Sequence, residues 1–368
     1  MKKSATLLLA ALTLTAVLGG CTKSQPEPAA ESASAVETTA AEAATEAETT
    51  EAETTIEAFT EPVLEDITPE DVTVRVGSLK GPTSMGLVSL MDQAEKGEAG
   101  NQYEFTMVTA ADELLGKIVS NEMDIALVPA NVASVLYNKT DGGIAVIDIN
   151  TLGVLYIVAS DDSIQSMADL KGKTLYLTGK GTTPEYVTNY LLSASGLTTD
   201  DVTLEFKSEA TEVAAVLKEQ PDAIGLLPQP FVTAAMAQNE DLKIVLDCTK
   251  EWDALQGTGG SRLVTGVTIV RKAFQDENPN AVALFLREHF ASADFANTNV
   301  AEAAELVAAQ GIIEKAPVAQ KAMPYCNIVC ITGDEMKAAL SGYLKVLADQ
   351  DPASIGGELP GGDFYFNP

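Results

Sequence analysis

The sequence predicts an α/β fold in two lobes, each a mostly parallel sheet flanked by helices, and three observations carry that prediction. From about Val72 onward, short apolar runs alternate with helical patterns, the signature of β–α–β chains. One strand–loop–helix passage is used twice. Val74 to Leu79 runs into Lys80-Gly81-Pro82-Thr83-Ser84-Met85, and Thr174 to Leu177 runs into Thr178-Gly179-Lys180-Gly181-Thr182-Thr183-Pro184. Finally, 368 residues at 46% apolar content are enough for two cores.

The front end is of a different kind. Met1-Lys2-Lys3 is a basic start, and the apolar run Leu7 to Leu18 is shorter than the about 20 residues a spanning helix needs. Residues 1–20 therefore read as an export signal. Leu18-Gly19-Gly20-Cys21 resembles the bacterial lipobox, which implies that Cys21 carries a diacylglycerol and that the mature protein begins there. With the usual second acylation this anchors the chain outside the cytoplasm, on the bacterial cell membrane, through lipid only. Residues 21–70 are an Ala/Glu/Thr-rich tether, with 13 acids and one base between Thr22 and Glu70. Nothing in that composition can bury a core, so a disordered, self-repelling spacer is expected.

The folded part is expected at 71–155 and 266–368 for the first lobe and 156–265 for the second. Strands are expected at Tyr103 to Val108, Asp124 to Val128 and Ile144 to Ile149. A helix at Ala110 to Ser120 should bury Leu114, Leu115, Ile118 and Val119. The apolar run Gly153 to Ser160 is placed to cross into the second lobe. There a helix at Tyr186 to Ser195, the strands Val202 to Phe206, Asp222 to Leu227 and Leu242 to Leu246, and an amphipathic helix at Glu209 to Lys218 follow. Thr265 to Val270 returns the chain, and helices at Pro279 to Ala296, Val300 to Gln310 and Gly333 to Ala348 complete the first lobe.

The net charge of −30 argues against nucleic acid and against docking on anionic lipid. At 5% aromatic content, broad stacking platforms are not expected. Lys180-Gly181-Thr182-Thr183 lacks the spacing of a nucleotide P-loop. With His289 the only histidine, serine and cysteine triads and His-based zinc sites lose their usual parts, so neither catalysis nor a metal nor a cofactor is expected. His289 reads as a surface or packing residue and Trp252 as core. Cys248, Cys326 and Cys330 can form one disulfide, and an extended Tyr325 to Ile331 favours Cys248 with Cys326 or Cys330.

Ligands of open α/β sheets sit beyond the carboxyl ends of strands. That rule selects Lys80, Gly81, Pro82, Thr83, Ser84 and Met85, then Thr109 and Ala110, then Pro129, Ala130 and Asn131. In the second lobe it selects Lys180, Gly181, Thr182, Thr183 and Gln229, with Gly153 at the hinge. Glycines admit close backbone approach, Thr83, Ser84, Thr182 and Thr183 offer hydroxyls while capping helices, and helix N-termini favour acceptor-rich ligands.

The lipobox, the Lys80 to Ser84 passage, Asp169-Leu170-Lys171-Gly172-Lys173 and Leu226-Leu227-Pro228-Gln229-Pro230-Phe231, in this order, resemble the nitrate/sulfonate/taurine and thiamin-precursor group of ABC-transporter substrate-binding proteins. The resemblance covers nearly everything after Val72. It implies the type II periplasmic-binding-protein fold and a monomer. It also implies capture of a small polar or anionic molecule (sulfonate, nitrate, carboxylate or thiamin-precursor-like) between the lobes, for delivery to a permease with a cytoplasmic ATPase. Two other readings share the fold. One is an enzyme like the thiamin-pyrimidine synthase or the menaquinone-pathway relatives; the other is a surface receptor lipoprotein without a transport partner.

Overall fold

The computed structural model describes residues 67–109, 111–256 and 260–367. Cys21, the export signal, the tether up to residue 66 and Ala110 lie outside the described residues.

Eleven strands of the described residues form two sheets. The first holds β1 (Thr73–Leu79), β2 (Gln102–Val108), β3 (Ile125–Pro129), β4 (Ile144–Leu152), β10 (Val264–Arg271) and β11 (Ile328–Ile331), in the order β11-β4-β10-β3-β1-β2. The second holds β5 (Leu155–Ala159), β6 (Thr174–Leu177), β7 (Thr203–Phe206), β8 (Ile224–Pro228) and β9 (Lys243–Asp247), in the order β7-β6-β8-β5-β9. Both sheets are mixed. β2-β1-β3 and β7-β6-β8 are parallel, whereas β10 and β5 run antiparallel to both of their neighbours. The reason is connectivity. β5 and β10 each enter a sheet from the other lobe, so they run opposite to the strands on either side of them.

The helices are α1 (Pro82–Met85), α2 (Val88–Lys96), α3 (Ala111–Val119), α4 (Ala130–Lys139), α5 (Thr183–Ala194), α6 (Ala210–Glu219) and α7 (Phe231–Met236). They continue with α8 (Cys248–Gln256), α9 (Lys272–Glu277), α10 (Pro279–Thr298), α11 (Val300–Ala309), α12 (Ala316–Ala322) and α13 (Gly333–Gln350). The Asp169 passage forms a short 3-10 helix, Met167–Leu170, whose start is fixed by a reciprocal capping box between Ser166 and Asp169. α3 buries Leu114 and Ile118 as its periodicity requires, but Val119 is 61% exposed, because it lies beyond the arc that faces the sheet.

One apolar cluster runs through both lobes. It joins β3, β4 and β10 to Leu155, Leu177, Tyr186, Trp252, Tyr343 and Leu344. Trp252 is fully buried, with Tyr190 at 4.4 Å and Tyr343 at 5.7 Å between ring centroids. α13 thus seals one side of the lobe boundary, a more central place than the back of the first lobe.

The sequence expectation of a disulfide fails. Cys248, Cys326 and Cys330 are all buried free thiols. Cys248 opens α8 in the large shared core, while Cys326 and Cys330 belong to a separate cluster under α10, α11 and α12. They pack as small hydrophobes, and burial pushes the Cys326 thiol up to about 12.

Candidate functional site

The first loop leaves β1 with the Lys80 N–H donating to the Val108 carbonyl at 2.8 Å, which ties the ends of β1 and β2 together. Gly81 has φ +147°, and a Cβ added there would meet no atom within 4 Å. Beyond it the chain turns inward. Thr83 Oγ1 donates to the Leu79 carbonyl at 3.1 Å, and Ser84 Oγ reaches the same carbonyl and Ser78 Oγ. Met85 is wholly buried among α10, α11 and α12. The hydroxyls expected to face outward are therefore spent on the loop's own backbone. They cap nothing, since the one-turn α1 has no side-chain cap. Lys80 is exposed, and Gly81 and Pro82 are half-buried, so these three hold the accessible face.

Why the loop lies so close is written in β10. A Cβ on Gly266 would come within 2.5 Å of Asn150 Oδ1 and 2.6 Å of Thr83 Cγ2, so glycine is needed for Thr83 to settle on the sheet.

The second loop leaves β6 with two left-handed glycines, Gly179 at φ +77° and Gly181 at φ +72°, the latter again with open space where a Cβ would go. Lys180 is exposed, its ammonium 5.7 Å from the Phe206 ring centroid. Thr182 Oγ1 donates back to the Gly179 carbonyl at 2.7 Å. The Gly181 N–H, which sequence reasoning reserves for a ligand anion, donates instead to Glu185 Oε2 at 2.5 Å. The helix supplies its own carboxylate at its N-terminus. Thr183 hydrogen-bonds Tyr343, a phenol that burial pushes up to about 12.

The remaining candidates divide. Thr109 is exposed just after β2. Pro129 is half-buried and Ala130 is buried, and Asn131 Nδ2 donates to the Ser354 carbonyl at 3.2 Å, a turn contact with the C-terminal segment. Gly153 is packed against the protein itself. It is buried, its carbonyl accepts from Asn327 Nδ2, and a Cβ would overlap Thr249 Oγ1 and come within 2.6 Å of Leu263. Gln229 is also buried, with Oε1 accepting from the Thr233 hydroxyl at 2.9 Å.

Sequence reasoning missed the C-terminal segment. Tyr186 Oη donates to Asp351 Oδ2 at 2.9 Å, Gln350 Nε2 donates to the Tyr186 carbonyl at 3.0 Å, and Ser354 receives Asn131. Residues 343–354 thereby touch the start of α4 on one lobe and of α5 on the other.

Two strand-end loops with open glycines, one per sheet, are the geometry of a two-lobed binding fold, and comparison with known proteins agrees. Residues 94–283, just over half of the chain, match the family model described as "ABC transporter, phosphonate, periplasmic substrate-binding protein". The chain belongs to that family. A binding protein of Brucella abortus (strain 2308) is 24% identical over 219 residues, 58% of this chain; the chain spans only 65% of that relative's length. Among solved structures, an ABC transporter protein from Parabacteroides distasonis superposes with TM-score 0.67 at 23% identity, covering 81% of this chain and 99% of the other. The periplasmic aliphatic sulphonate binding protein of Escherichia coli gives 0.64 at 14% identity, covering 80% and 92%. At these identities the likeness establishes the periplasmic-binding-protein fold.

The protein also holds a polar network that the sequence did not reveal. His289, read as a surface or packing residue, is fully buried and pairs through Nδ1 with Asp148 Oδ2 at 3.1 Å. Asp148 Oδ1 accepts from Thr268 Oγ1 at 2.7 Å, Asn150 Nδ2 donates to Thr268 Oγ1 at 3.1 Å, and Thr151 Oγ1 donates to Asn150 Oδ1 at 2.9 Å. The network runs from α10 through β4 and β10 to the floor under Thr83. Cys330 lies beside it, with donor atoms of Asp148, His289 and Cys330 within 4.8 Å of one another. Both Asp148 oxygens are engaged inside the lobe, which makes the arrangement a brace for the first loop. No helix among the described residues is long and apolar enough to cross a membrane.

Proposed function

We propose that this chain is an extracytoplasmic solute receptor that holds a small organic oxyanion, a sulfonate or phosphonate, between its lobes and presents it to an ABC permease with a cytoplasmic ATPase. One observation supports this most directly: Lys80-Gly81 and Lys180-Gly181 recur at matching strand ends, one per sheet, each pairing an exposed ammonium with an open, left-handed glycine. Neither lysine forms an ion pair among the described residues, so both charges are available to a ligand. Glu185 already occupies the Gly181 N–H, which leaves the ammonium groups and not the helix N-terminus as the main source of anion affinity. Closure follows as a population shift, since the ligand favours the state in which both loops reach it.

The lobes are proposed at 71–155 with 266–368, and at 156–265. Lipidation at Cys21 completes the proposal, with residues 21–70 as the tether. Native mass spectrometry of protein purified without refolding, followed by calorimetric titration with alkanesulfonates and alkylphosphonates, tests the reading. Lys80→Ala and Lys180→Ala should each weaken binding at least about tenfold, the effect of losing one charge-assisted contact. Unchanged affinity in both variants would refute it. For the anchor, Cys21→Ser should move the protein from the membrane fraction to the medium or periplasm.

A further inference from the structure

Away from the two loops, a groove of about 390 Å³ opens where the lobes approach on the side of α7 and α12. Its walls come from both lobes: Gln229, Thr233, Met236 and Ile244 from the second, Lys321 and Tyr325 from the first. No residue of Lys80–Met85 or Lys180–Thr183 lines it. The volume is that of a small-molecule site.

Its polar groups are specific. Gln229 is only 2% exposed, and its Oε1 accepts from both the backbone N–H and the hydroxyl of Thr233, which fixes the orientation of the amide. The Nε2 end then has no hydrogen-bond partner within the protein. A buried amide donor left unpaired is costly, so an acceptor brought to it gains more than an exposed contact would. Lys321 is exposed and enters no ion pair among the described residues. Met236 and Ile244 give an apolar wall. Tyr325 is held in place because its carbonyl accepts from Tyr156 Oη at 2.7 Å and its ring meets Tyr156 edge-on.

We infer that this groove is a second ligand site, separate from the Lys80 and Lys180 loops, for a small monoanion with a short apolar chain, such as a fatty carboxylate. The carboxylate accepts from Gln229 Nε2 and faces the Lys321 ammonium, while the chain lies along Met236 and Ile244. One ammonium and one amide suit a single negative charge, and the overall charge of −30 disfavours a polyanion. Because both lobes supply walls, an occupant stabilises the lobe angle that keeps them together, and its binding is coupled reciprocally to ligand binding at the loops.

The test is titration of hexanoate into the purified protein carrying 13C-labelled methionine methyl groups, with Met236 assigned through Met236→Leu. A saturable shift of the Met236 resonance is expected, with affinity lowered at least about tenfold by Gln229→Leu and by Lys321→Ala. Lys321→Ala changes an exposed side chain and should leave the unfolding midpoint in place, so it decides the matter even where Gln229→Leu folds poorly. Hexylamine, with the charge reversed, should leave the resonance unmoved. Lys80→Ala and Lys180→Ala should leave hexanoate affinity unchanged; its loss there would put the probe at the loops and overturn the proposal. Absence of a saturable shift at millimolar hexanoate, or an equal shift in Lys321→Ala, would overturn it too.

Discussion

Substituting Gly153 by alanine probes the connection between the two sheets most directly. The residue joins β4 to β5, and the new methyl would overlap Thr249 Oγ1 while lying 2.6 Å from Leu263 Cδ2. Ordinary contact begins near 3.4 Å, so Leu263 alone must retreat by roughly 0.8 Å inside a close-packed core. Overpacking of this kind costs about 1–3 kcal/mol, and with two obstructed neighbours the upper end applies. For a folded part of this size about 3 kcal/mol lowers the unfolding midpoint by roughly 5 °C. Thr249→Ala removes one of the two obstacles; that variant alone also loses a buried methyl and the hydroxyl's contact with the Asp247 carboxylate, so it should cost about 1 kcal/mol. The double variant should recover about 1 kcal/mol, measured as the coupling term of a double-mutant cycle in thermal or urea unfolding. A Gly153→Ala midpoint equal to that of the wild type would refute the packing argument, and strict additivity would show that Thr249 is not the obstacle.

Three further predictions rest on other parts of the molecule. Asp124 is buried where Arg75 and Arg271 both donate to its Oδ1 at 2.6 Å. Burial alone would raise its pKa, but the two guanidiniums and the Arg75 backbone N–H hold it below the usual carboxylate range. Asp124→Asn should cost roughly 3 kcal/mol at neutral pH. Because the folded pKa is depressed, that stabilisation is complete above the unfolded value of about 4 and fades as pH falls through the folded one, so wild-type and variant urea midpoints should converge in acid. Glu185→Ala frees the Gly181 N–H; unfolding should show a loss of about 0.5–1 kcal/mol, while titration should show tighter binding of an alkanesulfonate. Tyr186→Phe removes the hydrogen bond to Asp351 and should cost about 1 kcal/mol in stability, with opening at the α5 end visible as faster amide exchange in residues 350–354.

Local chemistry settled much of this protein before any long-range contact was known. Alternation placed β1, β3, β4, β8 and β10 within a few residues, because an apolar run flanked by glycine and proline has few alternatives. The Ser166–Asp169 capping box, though local, was seen only in the structure; the glycines at 81 and 181 sit in loops defined by residues close in sequence, and so were visible in it. The lysine–glycine pairs at the two strand ends were legible for the same reason.

Tertiary structure decided which of those groups are free. Thr83 and Ser84 look available in sequence but turn inward, because Gly266, far along the chain, leaves room for them to settle on β10. Gly153 is closed by Thr249 and Leu263, and Asn131 is taken by Ser354. The three thiols lie in packed clusters instead of bridging, and His289 finds its partner 141 residues away in Asp148. Each of these outcomes depends on whether a donor, acceptor or methyl meets a neighbour across the fold, which composition and spacing do not encode. Sequence thus determined where the loops stand, and the packing of distant residues against them determined which of their atoms still face a ligand.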